Sequence, residues 1–135
     1  MIIYNIENDL SIEEFKAVLI NSTLGERRPV EEPERLDKML RFANLIITAR
    51  ENGKLVGVSR SITDFAFCTY LSDLAVDESY QKKGIGKELI KLTKKETPDA
   101  TLILLAAPAA QAYYPKIGMK QFEQCYFIKD INQIK

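Results

Sequence analysis

The chemistry-bearing stretch of this chain lies between residues 70 and 87. It reads Tyr70-Leu71-Ser72-Asp73-Leu74-Ala75-Val76, then Asp77-Glu78-Ser79-Tyr80, then Gln81-Lys82-Lys83-Gly84-Ile85-Gly86-Lys87. A β-favouring run leads into a turn, and after Gly84 the apolar residues repeat at helical spacing, so the turn opens a helix. The first amides of any helix have no acceptor within it, and the helix dipole adds partial positive charge at that end. Glycines at 84 and 86 keep side chains out of the approach, so a phosphate oxygen can come close to backbone N–H groups. Lys82 and Lys83 add charge at the same place. These are the parts of a pyrophosphate cradle. Two known phosphate motifs do not fit. In G-x-x-x-x-G-K-[ST], Gly86-Lys87 is followed by Glu88 and the upstream glycine is missing. In G-x-G-x-x-G, Leu89 takes the third glycine position, and the stretch lies past mid-chain, after antiparallel strands.

The elements that must position this turn can be read along the chain. Residues 1–6 are apolar and β-favouring, an edge strand. Ser11 and Glu14 form the ends of a capping box. Ile12, Phe15, Val18 and Leu19 then recur at helical spacing, predicting a helix over 12–21. Residues 22–31 carry Gly25 and Pro29 and read as a loop. Pro33 suits a first helical turn, and Leu36, Met39 and Leu40 give the stripe of a second helix ending near Phe42. Residues 45–49 and 54–62 are strands joined by Asn52-Gly53, a two-residue hairpin turn in which both residues tolerate positive φ. Residues 68–76 are a third strand of this meander. The helix from Gly84 stops at Thr97-Pro98. Residues 102–106 suit a buried strand, 109–117 a short helix closed by Gly118, and 121–128 a last strand. The predicted fold is mixed α/β, an α+β arrangement: a mostly antiparallel sheet with one β-α-β crossover and helices on both faces. With 135 residues the chain is read as a single domain.

The pattern Gln81-x-x-Gly84-x-Gly86, opening a helix after the Leu74-Ala75-Val76 strand end, resembles the acyl-CoA-binding motif of the GNAT superfamily of N-acetyltransferases. Downstream, Ala112-Tyr113-Tyr114-Pro115-Lys116-Ile117-Gly118-Met119 is similar to a second segment of that family, with Met119 where Phe is usual. The two motifs stand in the family's order and separation, and the two N-terminal helices and the Asn52-Gly53 hairpin suit its layout. The resemblance implies acetyl-CoA as cosubstrate, no metal, and direct attack of an amine on the thioester. It implies that backbone groups of Leu74, Ala75 and Val76 hold the pantetheine arm, and that amides of Gln81, Lys82, Lys83, Gly84, Ile85, Gly86 and Lys87 hold the pyrophosphate. Tyr114 matches the family's tyrosine that faces the thioester sulfur, where a phenol can protonate the leaving thiolate. The sequence departs from the family at Ala106-Ala107-Pro108-Ala109, where many members carry an Asn. The rival reading is an acyl-CoA-binding or sensing module without turnover.

The acceptor, a small-molecule or protein amine, must be neutral to attack, which calls for a base or a water wire. The chain has no histidine, so the candidates are the carboxylates Asp64, Asp73, Glu31 and Glu32. If residues 70–76 alternate, Leu71, Asp73 and Ala75 share one face and Tyr70, Ser72 and Leu74 the other. Asp73 then either stands as a proton acceptor among apolar neighbours or pairs with a cation such as Arg60. Pairing is favoured, because an unpaired buried charge is costly. Arg27 and Arg28, in the loop between the first two helices, and Asp64, beside Phe65 and Phe67, are candidate substrate contacts.

Composition bounds the rest. Without histidine there is no Ser-His-Asp or Cys-His catalysis and no imidazole zinc site. Nineteen basic and nineteen acidic residues give zero formal charge, which argues against a nucleic-acid binder. Cys68 and Cys125 form no C-x-x-C and sit in apolar runs, so they are expected as buried, inert thiols in a reducing compartment. The N-terminal residues lack the basic and apolar regions of a signal peptide, and no apolar run is long enough to span a membrane. A cytoplasmic protein is expected, with no membrane partner. The family resemblance also suggests a homodimer through a strand edge near the C-terminus, with Tyr126, Phe127 and Ile128 as apolar candidates.

Overall fold

A computed structural model describes residues 1–135. The chain divides into two compact units, Met1–Leu105 and Ala106–Lys135. The first unit contains β1 (Ile2–Ile6), α1 (Ile12–Asn21), α2 (Pro33–Arg41), β2 (Leu45–Glu51), β3 (Lys54–Thr63), β4 (Cys68–Val76), α3 (Ile85–Glu96) and β5 (Thr101–Ile103). The five strands form one sheet in chain order. The first four are antiparallel neighbours, and β5 returns through α3 to lie parallel to β4. This is the expected mixed sheet with a single β-α-β crossover.

Both faces of the sheet are covered. Leu45 to Ala49 are all buried, Thr48 among them, so the first five positions of β2 are covered on both faces rather than at alternate ones. Ile46 packs with Phe15, Val18 and Leu19 of α1 and Leu36 and Leu40 of α2. Its neighbours Leu45 and Ile47 point the other way and pack with Ile85 and Leu89 of α3. The β2–β3 register slips by one residue between Ala49 and Arg50, which leaves Val56 without an opposite partner. That bulge is why Leu55 and Val58 belong to the α1–α2 face and Val56 to the α3 face.

Local chemistry sets the ends of these elements. The Ser11 hydroxyl accepts the Glu14 amide at 3.2 Å, which starts α1. The other half of the capping box is diverted: the Glu14 carboxylate takes Arg50 Nη1 at 2.5 Å. Arg50 also binds Glu7 through Nε at 2.9 Å and the Gly53 carbonyl at 2.9 Å, so one guanidinium ties β1, α1 and the hairpin together. Both carboxyls are held below the usual glutamate range, chiefly by hydrogen bonds from Arg50. Asn52 and Gly53 have φ of 49° and 83°, as the hairpin requires. Gly57 lets α3 approach the sheet: a Cβ there would lie 3.1 Å from Ile85 Cγ2 and 3.3 Å from Leu89 Cδ1. The Ser59 and Thr93 hydroxyls meet at 3.1 Å in the same buried layer.

The structure corrects the expected rear of the chain. The strand predicted over 102–106 is only Thr101–Ile103 and is partly exposed. The helix predicted over 109–117 is a 3-10 turn, Pro108–Ala110, followed by the four-residue α4, Tyr113–Lys116. Residues 121–128 form no strand, and Phe122, Tyr126 and Phe127 are exposed. A β-favouring run becomes a strand only with a ladder partner, and the second unit contains no strand to supply one. Both cysteines are exposed, not buried: Cys68 opens β4 beside the Asp64 turn, and Cys125 lies in the unpaired run. No helix is long and apolar enough to cross a membrane.

Candidate acyl-CoA site

The site is built on β4 and the turn that follows it. β5 pairs only with Cys68, Thr69 and Tyr70, so from Leu71 to Val76 the β5 side of β4 carries no strand. The β3–β4 register slips between Arg60 and Ser61. Arg60 faces Asp73, Ser61 faces Leu71, and Ser72 has no opposite partner. This bulge interrupts the regular alternation expected for the strand. Ser72 and Asp73 therefore share a partner, since Arg60 reaches both.

Past Val76 the chain turns tightly. Asp77 donates its amide to the Val56 carbonyl at 2.8 Å and accepts the Ser79 amide at 2.8 Å. The Gln81 side-chain amide donates back to the Val76 carbonyl at 2.9 Å, bracing the turn against the strand end. Lys82 (φ 64°) and Gly84 (φ 84°) both lie in the left-handed region. For Lys82 that conformation costs on the order of 1 kcal/mol, a strain typical of functional turns. For Gly84 it is free. α3 then begins without a side-chain cap. Its first internal bond is donated by Glu88 to the Gly84 carbonyl at 3.0 Å, so the amides of Ile85, Gly86 and Lys87 have no acceptor within the helix. Lys82, Lys83 and Lys87 are exposed around them. The Lys83 ammonium lies 5.1 Å from the Tyr80 ring centroid. The structure thus brings together Leu74, Ala75, Val76 and the whole run from Gln81 to Lys87. A strand edge without a neighbouring strand leads into a helix start with uncapped amides, which suits an extended amide-bearing arm ending in a pyrophosphate.

The carboxylates stand elsewhere. Asp73 is fully buried, with Oδ1 taking Arg28 Nε at 2.6 Å and Oδ2 taking Arg60 Nε. It is the cation-paired residue the strand pattern favoured. Arg28, in the loop between α1 and α2, reaches 44 residues along the chain to the Ser72 carbonyl, 2.9 Å away. Asp64 is not brought to the cradle. It precedes β4, at the other end of a strand about 25 Å long, and Oδ1 accepts the amides of Ala66, Phe67 and Cys68 at 2.8–3.0 Å. Those three bonds pull its carboxyl down to about 2. Tyr114 belongs to the second unit, on α4. Its ring meets that of Tyr113 edge-on, with centroids 5.3 Å apart. Burial, with a smaller contribution from Tyr113, raises its phenol above the usual value. The Ser72 bulge and its bond to Arg28 were not legible in the sequence, because a bulge has no residue signature of its own and the partner lies far away in the chain.

The acetyltransferase (GNAT) domain family matches residues 12–132. The chain belongs to the GNAT family. An uncharacterized N-acetyltransferase of Pyropia yezoensis, ycf52, is 30% identical over 95 residues, 68% of this chain and 50% of that protein. This GNAT chain therefore spans about half the length of that relative. Among solved structures, a GNAT-family acetyltransferase of Streptococcus pneumoniae superimposes with a TM-score of 0.81 at 22% identity, covering 98% of this chain and 99% of the other. The aminoglycoside N-acetyltransferase AAC(6')-Iy, solved in complex with CoA, gives a TM-score of 0.73 at 13% identity, covering 97% and 95% of the two chains. At these identities the structural matches establish the fold.

Proposed function

We propose that this GNAT domain is an acetyl-CoA-dependent N-acetyltransferase. The observation that carries the reading is the open half of β4 running directly into the uncapped start of α3. Backbone groups of Leu74, Ala75 and Val76 receive the pantetheine arm, and the amides of Ile85, Gly86 and Lys87 receive the pyrophosphate, helped by Lys82 and Lys83. Acetyl-CoA supplies an acetyl group activated as a thioester. The neutral amine nitrogen of the acceptor attacks the thioester carbonyl carbon, a C–N bond forms and the C–S bond breaks. Tyr114 donates its phenolic proton to the departing thiolate. Asp73 is paired with two guanidiniums and Asp64 is capped by three amides, so neither offers a free carboxylate. The amine proton then passes to solvent, and Tyr114 is reprotonated from solvent.

Two measurements test this. Calorimetric titration with acetyl-CoA and CoA is expected to show binding, with ATP and NAD inert. Release of CoA thiol in the presence of an amine panel is expected to fall about 100-fold or more in Tyr114→Phe, the range for loss of a general acid, with acetyl-CoA affinity retained. The rate is expected to rise with pH as the acceptor loses its proton. It falls only above pH 10, because the Tyr114 phenol titrates above the ordinary value of 10.0. Tight binding with no thiol release from any amine would instead support a non-catalytic acyl-CoA-binding module.

A further inference from the structure

We infer that Arg28 recognises a carboxylate on the acceptor amine, so that acceptors of amino-acid type are preferred over neutral amines. The inference rests on the reading of β4 and α3 as the acetyl-CoA site.

Two guanidiniums share one carboxylate in the middle of β4. Arg60 is almost fully buried, with Nε on Asp73, Nη1 on the Met39 carbonyl at 3.0 Å and Nη2 on the Ser72 hydroxyl at 3.0 Å. Arg28 donates Nε to Asp73 Oδ1 at 2.6 Å, Nη1 to the Arg27 carbonyl at 2.9 Å and Nη2 to the Ser72 carbonyl at 2.9 Å. A guanidinium has five N–H groups. Three are used, which leaves one N–H on each terminal nitrogen for a further acceptor such as a carboxylate. Asp73 is the one acidic ion-pair partner of either arginine, so the group carries one positive charge in excess. The Arg28 side chain is 22% exposed, against 7% for Arg60, so the excess charge is reachable at Arg28 and not at Arg60. The side chain is already anchored at three points, and little rotamer freedom is left to lose when a ligand binds.

Its place on the strand supplies the function. The phosphate end of the cosubstrate lies beyond Val76, and the arm runs back along Val76 to Leu74. The acyl carbon then falls toward the bulge at Ser72 and Asp73, where Arg28 is held. The attacking nitrogen must come within about 3–3.5 Å of that carbon. A carboxylate one or two carbons from the nitrogen is then brought to Arg28. A carboxylate supplies a further acceptor for these N–H groups and meets the uncompensated charge, whereas a neutral amine does neither.

The test uses the full chain, acetyl-CoA, and matched acceptors: amino acids and their carboxamides, with rates referred to the neutral-amine fraction. The acid is expected to exceed its amide in kcat/KM by about 10- to 100-fold, the range for a hydrogen-bonded charged partner. Arg28→Gln is expected to collapse that ratio toward one, and Arg28→Lys to leave an intermediate ratio, since it keeps the charge and loses the fork. Calorimetry on each variant checks that acetyl-CoA still binds. Equal use of acid and amide by the unmodified chain would overturn the inference. So would Arg28→Gln lowering both alike while acetyl-CoA binding persists, since that is what a purely structural clamp predicts. If Arg28→Gln does not fold, the ratio in Arg28→Lys decides. Failure of the unmodified chain to bind acetyl-CoA overturns the site reading itself, and the inference with it. Binding and turnover without acid preference overturn the inference alone.

Discussion

The two turns that bracket β4 pose the same problem and solve it oppositely. Each gathers three backbone amides around one small volume. Before β4, the amides of Ala66, Phe67 and Cys68 converge on Asp64, and the protein supplies the anion itself. After β4, the amides of Ile85, Gly86 and Lys87 head α3, and the protein supplies no cap. A capping residue is normally favourable by about 1 kcal/mol. The sequence offers Gly84, which cannot cap through a side chain, where an Asp or Ser would serve. The difference separates a turn closed on its own anion from one whose donors the protein leaves uncapped, as the proposed acetyl-CoA site requires.

The comparison breaks most sharply if the second turn is given the anion of the first. Gly86→Asp places a carboxylate at the start of α3, where it complements the dipole and replaces a poor helix former. The fold is expected to gain about 0.5–1 kcal/mol. Acetyl-CoA affinity is expected to fall by about 100-fold or more, because a fixed negative charge meets the pyrophosphate and takes its donors. Thermal unfolding with and without acetyl-CoA reads both at once: a higher Tm for the free chain and no ligand-linked shift. Retained ligand stabilisation would mean that the α3 amides are not the binding donors.

The reverse substitution acts in the opposite sense. Asp64→Ala leaves three turn amides without their acceptor, so Tm is expected to fall while acetyl-CoA affinity is kept. The pH dependence sharpens this. The Asp64 carboxyl is depressed from 3.8 to about 2, so its contribution is fully present above the unfolded value. It is lost as pH falls from about 3.8 toward 2. The stability difference between the unmodified chain and Asp64→Ala, followed by urea unfolding, is therefore expected to be flat above pH 5 and to shrink below it. Glu7 and Glu14 are also depressed by Arg50 and also weaken the fold in acid, but they cancel in the difference. A difference that persists unchanged to pH 3 would assign the Asp64 effect to something other than its charge.

The contrast also marks how far a sequence can be read. The first three helices, the Asn52-Gly53 hairpin and the α3 start were legible because periodicity, turn residues and a glycine at positive φ are local signals. The Asp73–Arg60 pair was legible from strand alternation and the cost of an unpaired charge. Arg28 at Ser72 was not, since it joins a loop to a bulge 44 residues away. The Asp64 cap was not, because an acidic residue in a turn reads equally well as a cap or as a substrate contact. Residues 121–128 show the opposite failure. Their β-favouring composition is real, but no composition provides a ladder partner.

The smallest expected effect concerns which part of the cradle holds the anion. Lys82 and Lys83 are exposed, and Lys83 is also drawn over the Tyr80 ring. Exposed charge pairs contribute about 0.2–1 kcal/mol and are screened by salt. Lys82→Gln and Lys83→Gln are each expected to weaken acetyl-CoA binding by only about two- to fivefold at low ionic strength, and by less in about 1 M salt, where the screening length is roughly 3 Å. The Gly86→Asp defect should survive the same salt, because a carboxylate seated on the amides competes for hydrogen bonds as well as for charge. A large, salt-sensitive loss from either lysine substitution would reverse the ranking. The cradle would then be a patch of flexible side chains, and the uncapped start of α3 would be secondary to it.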